Sequence, residues 1–500
     1  MASSRFLVLG LDGGTFDLLD PLIRAGKLPF LGRLREQGFS APLTSVFPPK
    51  TIPAWYSFAT GQDPGRLGIF GFTEPDGGPG KSRLVQTYRP TEALWDLLSR
   101  HGRTVGVLNF PLRGGYAVNG FFVPGMFGES PATYPVDLLG RLEKSLGERY
   151  LPELPPYRAP DRPAWMELAV RSVRQRARAG ASLIDRYHPH FMFVLFRETD
   201  RVEHQHWSEL ARPVSEWPAD LLRFWTEVDT ACAALDAAFR ASGGEAMTLV
   251  ISDHGHGAAR TDFFTNRWLL EHGYLVFKNG GDSVRRKMFS RVLMAADRVP
   301  FARRLLASVA GRITEGRSAE KVAHYVTGDA SFEALAPGID WERTRAYSYP
   351  VPEAIYLNPY RRGWAEGERA EVTARLRSEL QAYAEAHIEV LEPKEIYGAV
   401  NGHQAPALFL RINSLETESR MDFTYPRPML HQRPGFFYGT GVHRMDGILL
   451  ASAPPSPADA AGRGYSLLDI APTVLEGMGV RVPPGMQGRS FADEIGLRPA

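Results

Sequence analysis

The chain reads as an α/β protein built on a mostly parallel, doubly wound sheet, and three observations predict this. Apolar runs of strand length, at residues 6–11, 190–196 and 248–251, alternate with long stretches of helical apolar spacing. Each run stops abruptly at side chains that carry chemistry: Asp12 before two glycines, Asp200 four residues past the second run, and the pair Asp253-His254. Glycines follow on both sides of His256, leaving room for a ligand to approach the backbone closely. Strand, helix, strand, with acidic or histidine groups at the strand ends, is the doubly wound pattern.

Bulk properties narrow the reading. Five hundred residues exceed the usual size of one core. Residues 1–500 are expected to form one large α/β domain carrying a helical insertion at 275–345. A hydrophobic content of 44% and a charged content of 23% are ordinary for a globular chain. The net charge of +2 provides no field to draw nucleic acid, so no such partner is expected. Cys232 is the only cysteine, which excludes an intrachain disulfide and a cysteine zinc site and fits a reducing, cytoplasmic compartment. No apolar stretch approaches about 18 residues, so no transmembrane helix is expected. The run at 6–11 is too short for a signal core and ends at Asp12.

In chain order, the first strand ends in Asp12-Gly13-Gly14-Thr15. The spacing is not Gly-x-Gly-x-x-Gly and no Lys follows, which excludes a nucleotide loop. Asp12 is then a strand-end cap or a metal ligand. Helical spacing follows at 17–24 and 28–38, the latter closed by Gly38. Pro48 and Pro49 force an extended approach to Thr51, which stands at the N-cap of an apolar helix with Pro53 in its first turn. The Thr51 hydroxyl either caps this helix or meets an anion such as phosphate at the helix's positive end. As an attacking group it would need a metal to lower its pKa.

A helix at 92–100 and a strand at 103–110 come next, followed at 111–163 by a stretch dense in Gly, Pro and Tyr that predicts loops. Residues 164–187 are helical and lead into the strand at 190–196. Asp200 and His204, four apart on a helical turn, share one face with Cβ atoms about 5–6 Å apart, close enough to hold one divalent ion. Glu203 and His206 point elsewhere in this geometry and at most support those ligands. A helix at 219–242, stopped by Gly243-Gly244, precedes the strand that ends at Asp253-His254. From 277 to 313 the pattern is one of basic amphipathic helices, read as a packed insertion, with a lid or an interfacial surface for a lipid-like substrate as the alternative. Strands at 354–358 and 405–412, a helix at 364–387, a strand at 448–452 shortly after His443 and a closing helix at 466–479 complete the chain.

Several segments now line up: Leu9-Gly10-Leu11-Asp12-Gly13-Gly14, Lys50-Thr51-Ile52-Pro53-Ala54-Trp55, Asp200-x-x-x-His204, Ser252-Asp253-His254-Gly255, His443-Arg444-Met445-Asp446-Gly447 and Leu468-Asp469-Ile470-Ala471-Pro472-Thr473. In this order they resemble the alkaline phosphatase superfamily, nearest its type I phosphodiesterase/nucleotide pyrophosphatase branch and the bacterial phosphohydrolase/phosphomutase group within it. The resemblance implies an alkaline-phosphatase-like central sheet flanked by helices, and a metal-dependent hydrolase of small phosphoesters. It implies one divalent ion on Asp200, His204 and His443 and another on Asp12, Asp253 and His254, zinc first and manganese as the alternative. Thr51 is implied as the nucleophile, reaching toward both ions and passing through a phosphothreonine. Asn stands in the pyrophosphatases where this chain has Ala54, and no arginine clamp is evident near Thr51, so the substrate and its binding residues stay open. The sulfatase motif is absent at Thr51. A phosphomutase or phosphotransferase, and a catalytically silent binding protein of the same fold, are the alternatives.

Overall fold

The computed structural model describes residues 5–85, 91–111, 114–125, 132–157, 161–278, 332–333, 335–401, 405–423, 428–432, 439–453 and 463–497. The basic amphipathic helices expected between 277 and 313 fall almost wholly outside the described residues. Contacts divide the chain into two compact units. One comprises Met1–Leu67, Gln86–Ala258 and Gly435–Ala500, the other Gly68–Val85 and Ala259–Pro434.

The first unit is built on an eight-stranded sheet. Its strands lie in the order Tyr465–Ser466, Phe39–Thr44, Asp446–Ala451, Ala246–Ile251, Arg5–Leu11, Phe191–Phe196, Val105–Phe110, Gly120–Pro124. The last five are mutually parallel. Asp446–Ala451 runs antiparallel between Ala246–Ile251 and Phe39–Thr44. The sheet is therefore mixed but mostly parallel, as expected.

Side-chain alternation explains why the central strands are apolar throughout. Leu7, Leu9 and Leu11, with Met192, Val194 and Phe196, join the core that includes Val173 and Trp225 from the helices Arg162–Tyr187 and Ala219–Ala241. On the opposite face Phe193 meets Trp55 and Phe58 of the helix Thr51–Thr60 at ring-centroid distances of 5.3 and 5.1 Å. Strands covered on both faces have no reason to alternate with polar residues. The helix Pro29–Gln37 has no side-chain cap of its own. Asp229, from the helix Ala219–Ala241, accepts instead from the backbone N–H groups of Phe30 and Leu31 at 3.0 and 2.8 Å.

Residues 111–163 are not all loop. They contain the edge strand Gly120–Pro124 and the helix Leu138–Leu146. The strand's apolar run is only Phe121-Phe122-Val123 between glycine and proline, and Gly140 interrupts the helical pattern, so composition masks both. The strand Phe39–Thr44 also escapes the sequence pattern, because Pro42 stands within it.

The second unit holds a three-stranded sheet, Thr417–Arg420, Thr261–Phe264 and Leu430–Gln432, and a four-stranded one, Ala346–Tyr347, Ala354–Leu357, Leu408–Ile412 and Ile388–Leu391. The helix expected at 364–387 spans Glu368–Gln381. Among the described residues no helix is long and apolar enough to cross a membrane.

Candidate metal centre

Three neighbouring parallel strands end at the same edge of the sheet. The register pairs Leu11 with Phe196 and Gly10 with Ile251, so Asp12, the start of the helix Glu198–Leu210, and Asp253 emerge side by side. Two glycines make the geometry possible. A Cβ on Gly10 would lie 2.7 Å from Trp55 Cη2, so glycine lets the indole lie against the strand and donate from Nε1 to Asp12 Oδ2 at 3.0 Å. Gly13 turns with φ +77°, donates its N–H to Asp253 Oδ1 at 3.2 Å, and leaves space that a Cβ would close against Glu203 and His256.

Asp200, His204 and His443 converge. Asp200 Oδ1 lies 3.2 Å from His204 Nε2 and 3.2 Å from His443 Nε2, and the two Nε2 atoms are 2.9 Å apart. Each ring's Nδ1 faces a backbone carbonyl, Gly441 O at 3.0 Å for His204 and Pro49 O at 2.6 Å for His443. A carbonyl only accepts, so each Nδ1 carries the proton and each Nε2 presents its lone pair. Two facing lone pairs and a carboxylate oxygen need a cation between them. The spacing suits one, since tetrahedral zinc with bonds of about 2.0–2.1 Å separates its donors by roughly 3.3 Å.

Asp12, Asp253 and His254 form the second set, with His254 Nε2 3.3 Å from Asp253 Oδ2 and 3.7 Å from Asp12 Oδ1. His254 Nδ1 donates to Gly255 O at 3.1 Å. All the donors in this set are fully buried, and their ligand atoms lie within 4.8 Å of one another. Thr51 sits at the same place. It is the first residue of its helix rather than the cap, the position before it being Lys50. At 1% exposure its Oγ1 faces Asp12 Oδ1 at 3.5 Å. The structure thus brings all seven sequence-derived residues together.

Electrostatics favour cations here. Burial, then Asp200, pushes the Asp12 carboxyl well above its usual range, and burial, then Asp12, does the same to Asp253. Burial keeps the His254 and His443 imidazoles below their ordinary pKa, in the neutral form that ligates metals. Arg197 Nε stands 3.8 Å from Asp12 Oδ2, but its guanidinium is shared with Glu153.

Two residues at the centre escape the sequence reading. Glu203 and His256 are fully buried against the cluster, whereas His206 turns away to Glu209 Oε2 at 3.0 Å. The signals were present in the spacing: Glu203 is three residues after Asp200, a separation that shares a helix face, and His256 follows His254 by two in extended backbone.

A doubly wound sheet whose carboxyl edge gathers two such donor sets defines a metalloenzyme framework. The family model of type I phosphodiesterase / nucleotide pyrophosphatase matches residues 6–385, and the chain belongs to that family. It is a metal-dependent phosphoester hydrolase. Among solved structures it is similar to phosphonoacetate hydrolase from Sinorhizobium meliloti 1021 in complex with phosphonoformate, at 16% identity and TM-score 0.54, over 95% of this chain and 96% of that one. It is similar also to inactive murine ectonucleotide pyrophosphatase / phosphodiesterase 5 in complex with AMP, at 14% identity and TM-score 0.52, over 99% of both chains. A mutant of the alkaline phosphatase PafA aligns at 14% identity and TM-score 0.54 over 99% of both chains. At these identities the likeness establishes the fold. No curated protein matches.

Proposed function

We propose that the chain hydrolyses small phosphoesters through Thr51, with two divalent ions, zinc first and manganese as the alternative. Asp200, His204 and His443 would hold one ion and Asp12, Asp253 and His254 the other. Bound there, the ions would supply Lewis acidity that lowers the pKa of the attacking hydroxyl and offsets charge on the leaving oxygen. The observation that carries this reading is the buried Thr51 Oγ1, which faces Asp12 Oδ1 of the second donor set at 3.5 Å.

Thr51 Oγ forms a bond to phosphorus as the ester's alcohol departs, leaving a phosphothreonine that water then cleaves to free phosphate or phosphomonoester. The helix Thr51–Thr60 aims its positive end at the phosphoryl group, where the first-turn N–H groups have no intrahelical acceptor. Asp12 is held for its part by Trp55, and the histidine rings by backbone carbonyls, so little reorganisation is needed on binding. The larger and smaller units would together form one catalytic domain, and the single buried Cys232 supports a cytoplasmic setting.

A screen of aryl phosphate monoesters and diesters with zinc or manganese tests the reading. Thr51→Ala should abolish turnover and phosphoprotein trapped by acid quench, while Thr51→Ser keeps much of both. Thr51→Ala at a tenth of the parent rate would end the nucleophile assignment. Transfer of phosphate to an added alcohol in place of water would make the protein a phosphotransferase acting through the same residue.

A further inference from the structure

Glu203 and His256 are the buried ionisable groups at the centre that the proposed mechanism leaves idle. Both are 0% exposed, and neither the Glu203 carboxylate oxygens nor the His256 ring nitrogens make a well-formed hydrogen bond. Such groups are rare in a folded interior and cost free energy unless a partner is supplied. His256 Nδ1 lies 3.1 Å from Glu203 Oε2 and 3.8 Å from Asp200 Oδ1. One nitrogen of His256 falls within 4.8 Å of donor atoms of Asp200, His254 and His443 together.

Placement reinforces this. Glu203 lies between Asp200 and His204 on one helix. His256 follows His254 by two residues and stands directly opposite His443 where Gly255–Ala258 pairs with Gly441–Arg444. Its ring is edge-on to His204, with centroids 4.5 Å apart, and stacks on Trp207 at 5.7 Å. A Cβ on Gly13 would come within 2.9 Å of His256 Nδ1 and 2.8 Å of Glu203 Oε2, so the residue after Asp12 has to be small for the two to meet.

We propose that His256 is a further ligand of this centre, giving Nε2 to the ion held by Asp200 and His443, while Nδ1 turns its proton to Glu203, which positions the ring. The inference rests on the metal reading above and extends it. A carboxylate behind a ligating imidazole fixes ring orientation and raises its basicity. With His204 in place, His256 would bring the protein donors at that ion to four, and the ion would take a substrate oxygen by expanding to five-coordinate.

The test strips the full-length protein with chelator, titrates it with zinc against a chromophoric chelator, and records the visible spectrum of the cobalt(II) form. His256→Phe keeps an aromatic ring against Trp207 but removes both nitrogens. It should weaken one of the two bound ions by at least about 100-fold and change the cobalt absorption, while Glu203→Gln weakens the same ion by about 10–100-fold. Should His256→Phe fail to fold by circular dichroism, His256→Ala takes its place in the same titration. A folded His256 variant that binds both ions at parental affinity with the parental cobalt spectrum overturns the proposal while leaving the metal reading intact. A parent protein that binds no divalent ion overturns both.

Discussion

Replacing Trp55 with Phe removes one hydrogen bond and little else, which makes it a sharp probe of how the centre is held. The indole is fully buried, donates from Nε1 to Asp12 Oδ2 at 3.0 Å, and packs on Phe58 and Phe193 with centroids at 5.6 and 5.3 Å. Phenylalanine can keep most of that ring packing. A hydrogen bond to an uncharged partner contributes about 0.5–1.5 kcal/mol, the case for Asp12 once the ion is removed, since burial and Asp200 raise its pKa. The smaller ring leaves roughly 40 Å³ unfilled, which at about 24 cal/mol per Å³ costs about 1 kcal/mol. The chelator-treated protein should therefore lose about 1.5–2.5 kcal/mol in urea unfolding. Asp12 also loses the contact that orients it, so the affinity for one zinc should fall about 10–100-fold, as expected when a ligand's supporting partner is removed. Zinc titration against a chromophoric chelator reads the second effect independently of the first. A Trp55→Phe protein within 1 kcal/mol of the parent and with parental zinc affinity would show that Asp12 is placed by its strand alone.

Other perturbations separate structure from chemistry. Asp253→Ala should cost one bound ion by elemental analysis and lower the melting temperature of the zinc-loaded protein, with the gap narrowing once both proteins are chelated, because only the ion-bound fold gains from ligand linkage. Asp229→Ala should destabilise the protein by about 1–3 kcal/mol with zinc content unchanged, since two backbone N–H groups of a neighbouring helix lose their acceptor. Arg176→Ala should be harsher, about 3–5 kcal/mol by thermal or urea unfolding, because it leaves Glu198 buried without the cation it now pairs with.

How much of this was legible in the sequence depends on whether local pattern or chain folding decides each feature. Residues 6–11, 190–196 and 248–251 announce themselves as strands because helices cover both sheet faces and, His190 and Thr248 apart, the positions carry no polar side chain. Asp12 and Asp253 are legible because they interrupt those runs. Gly120–Pro124 and Phe39–Thr44 are not, since proline and glycine in them signal loops while sheet neighbours supply the pairing. The direction of the Thr51 hydroxyl is a tertiary matter too: helical position alone permits capping, and only the placement of Asp12 shows where the oxygen faces. Glu203 was read as pointing elsewhere with at most a supporting part; its burial against the cluster follows because three residues along a helix is a near neighbour and not the far side. His443, with no local signal of its own, reaches the centre through the pairing of Gly441–Arg444 with Gly255–Ala258.

That late strand pair has a consequence for how the molecule comes into being on the ribosome. Asp12 is made more than 400 residues before His443, and Asp446–Ala451 is the strand that lies between Ala246–Ile251 and Phe39–Thr44. A nascent chain halted before residue 441 would carry most of the donors yet lack the one that completes the Asp200 and His204 set. It would also present two apolar strand edges with their backbone groups unpaired, which invites association with other chains. Competence and solubility should thus arrive together, once residues 441–451 have been made. A prematurely terminated product would be recognised by its stickiness well before it could act on phosphoesters.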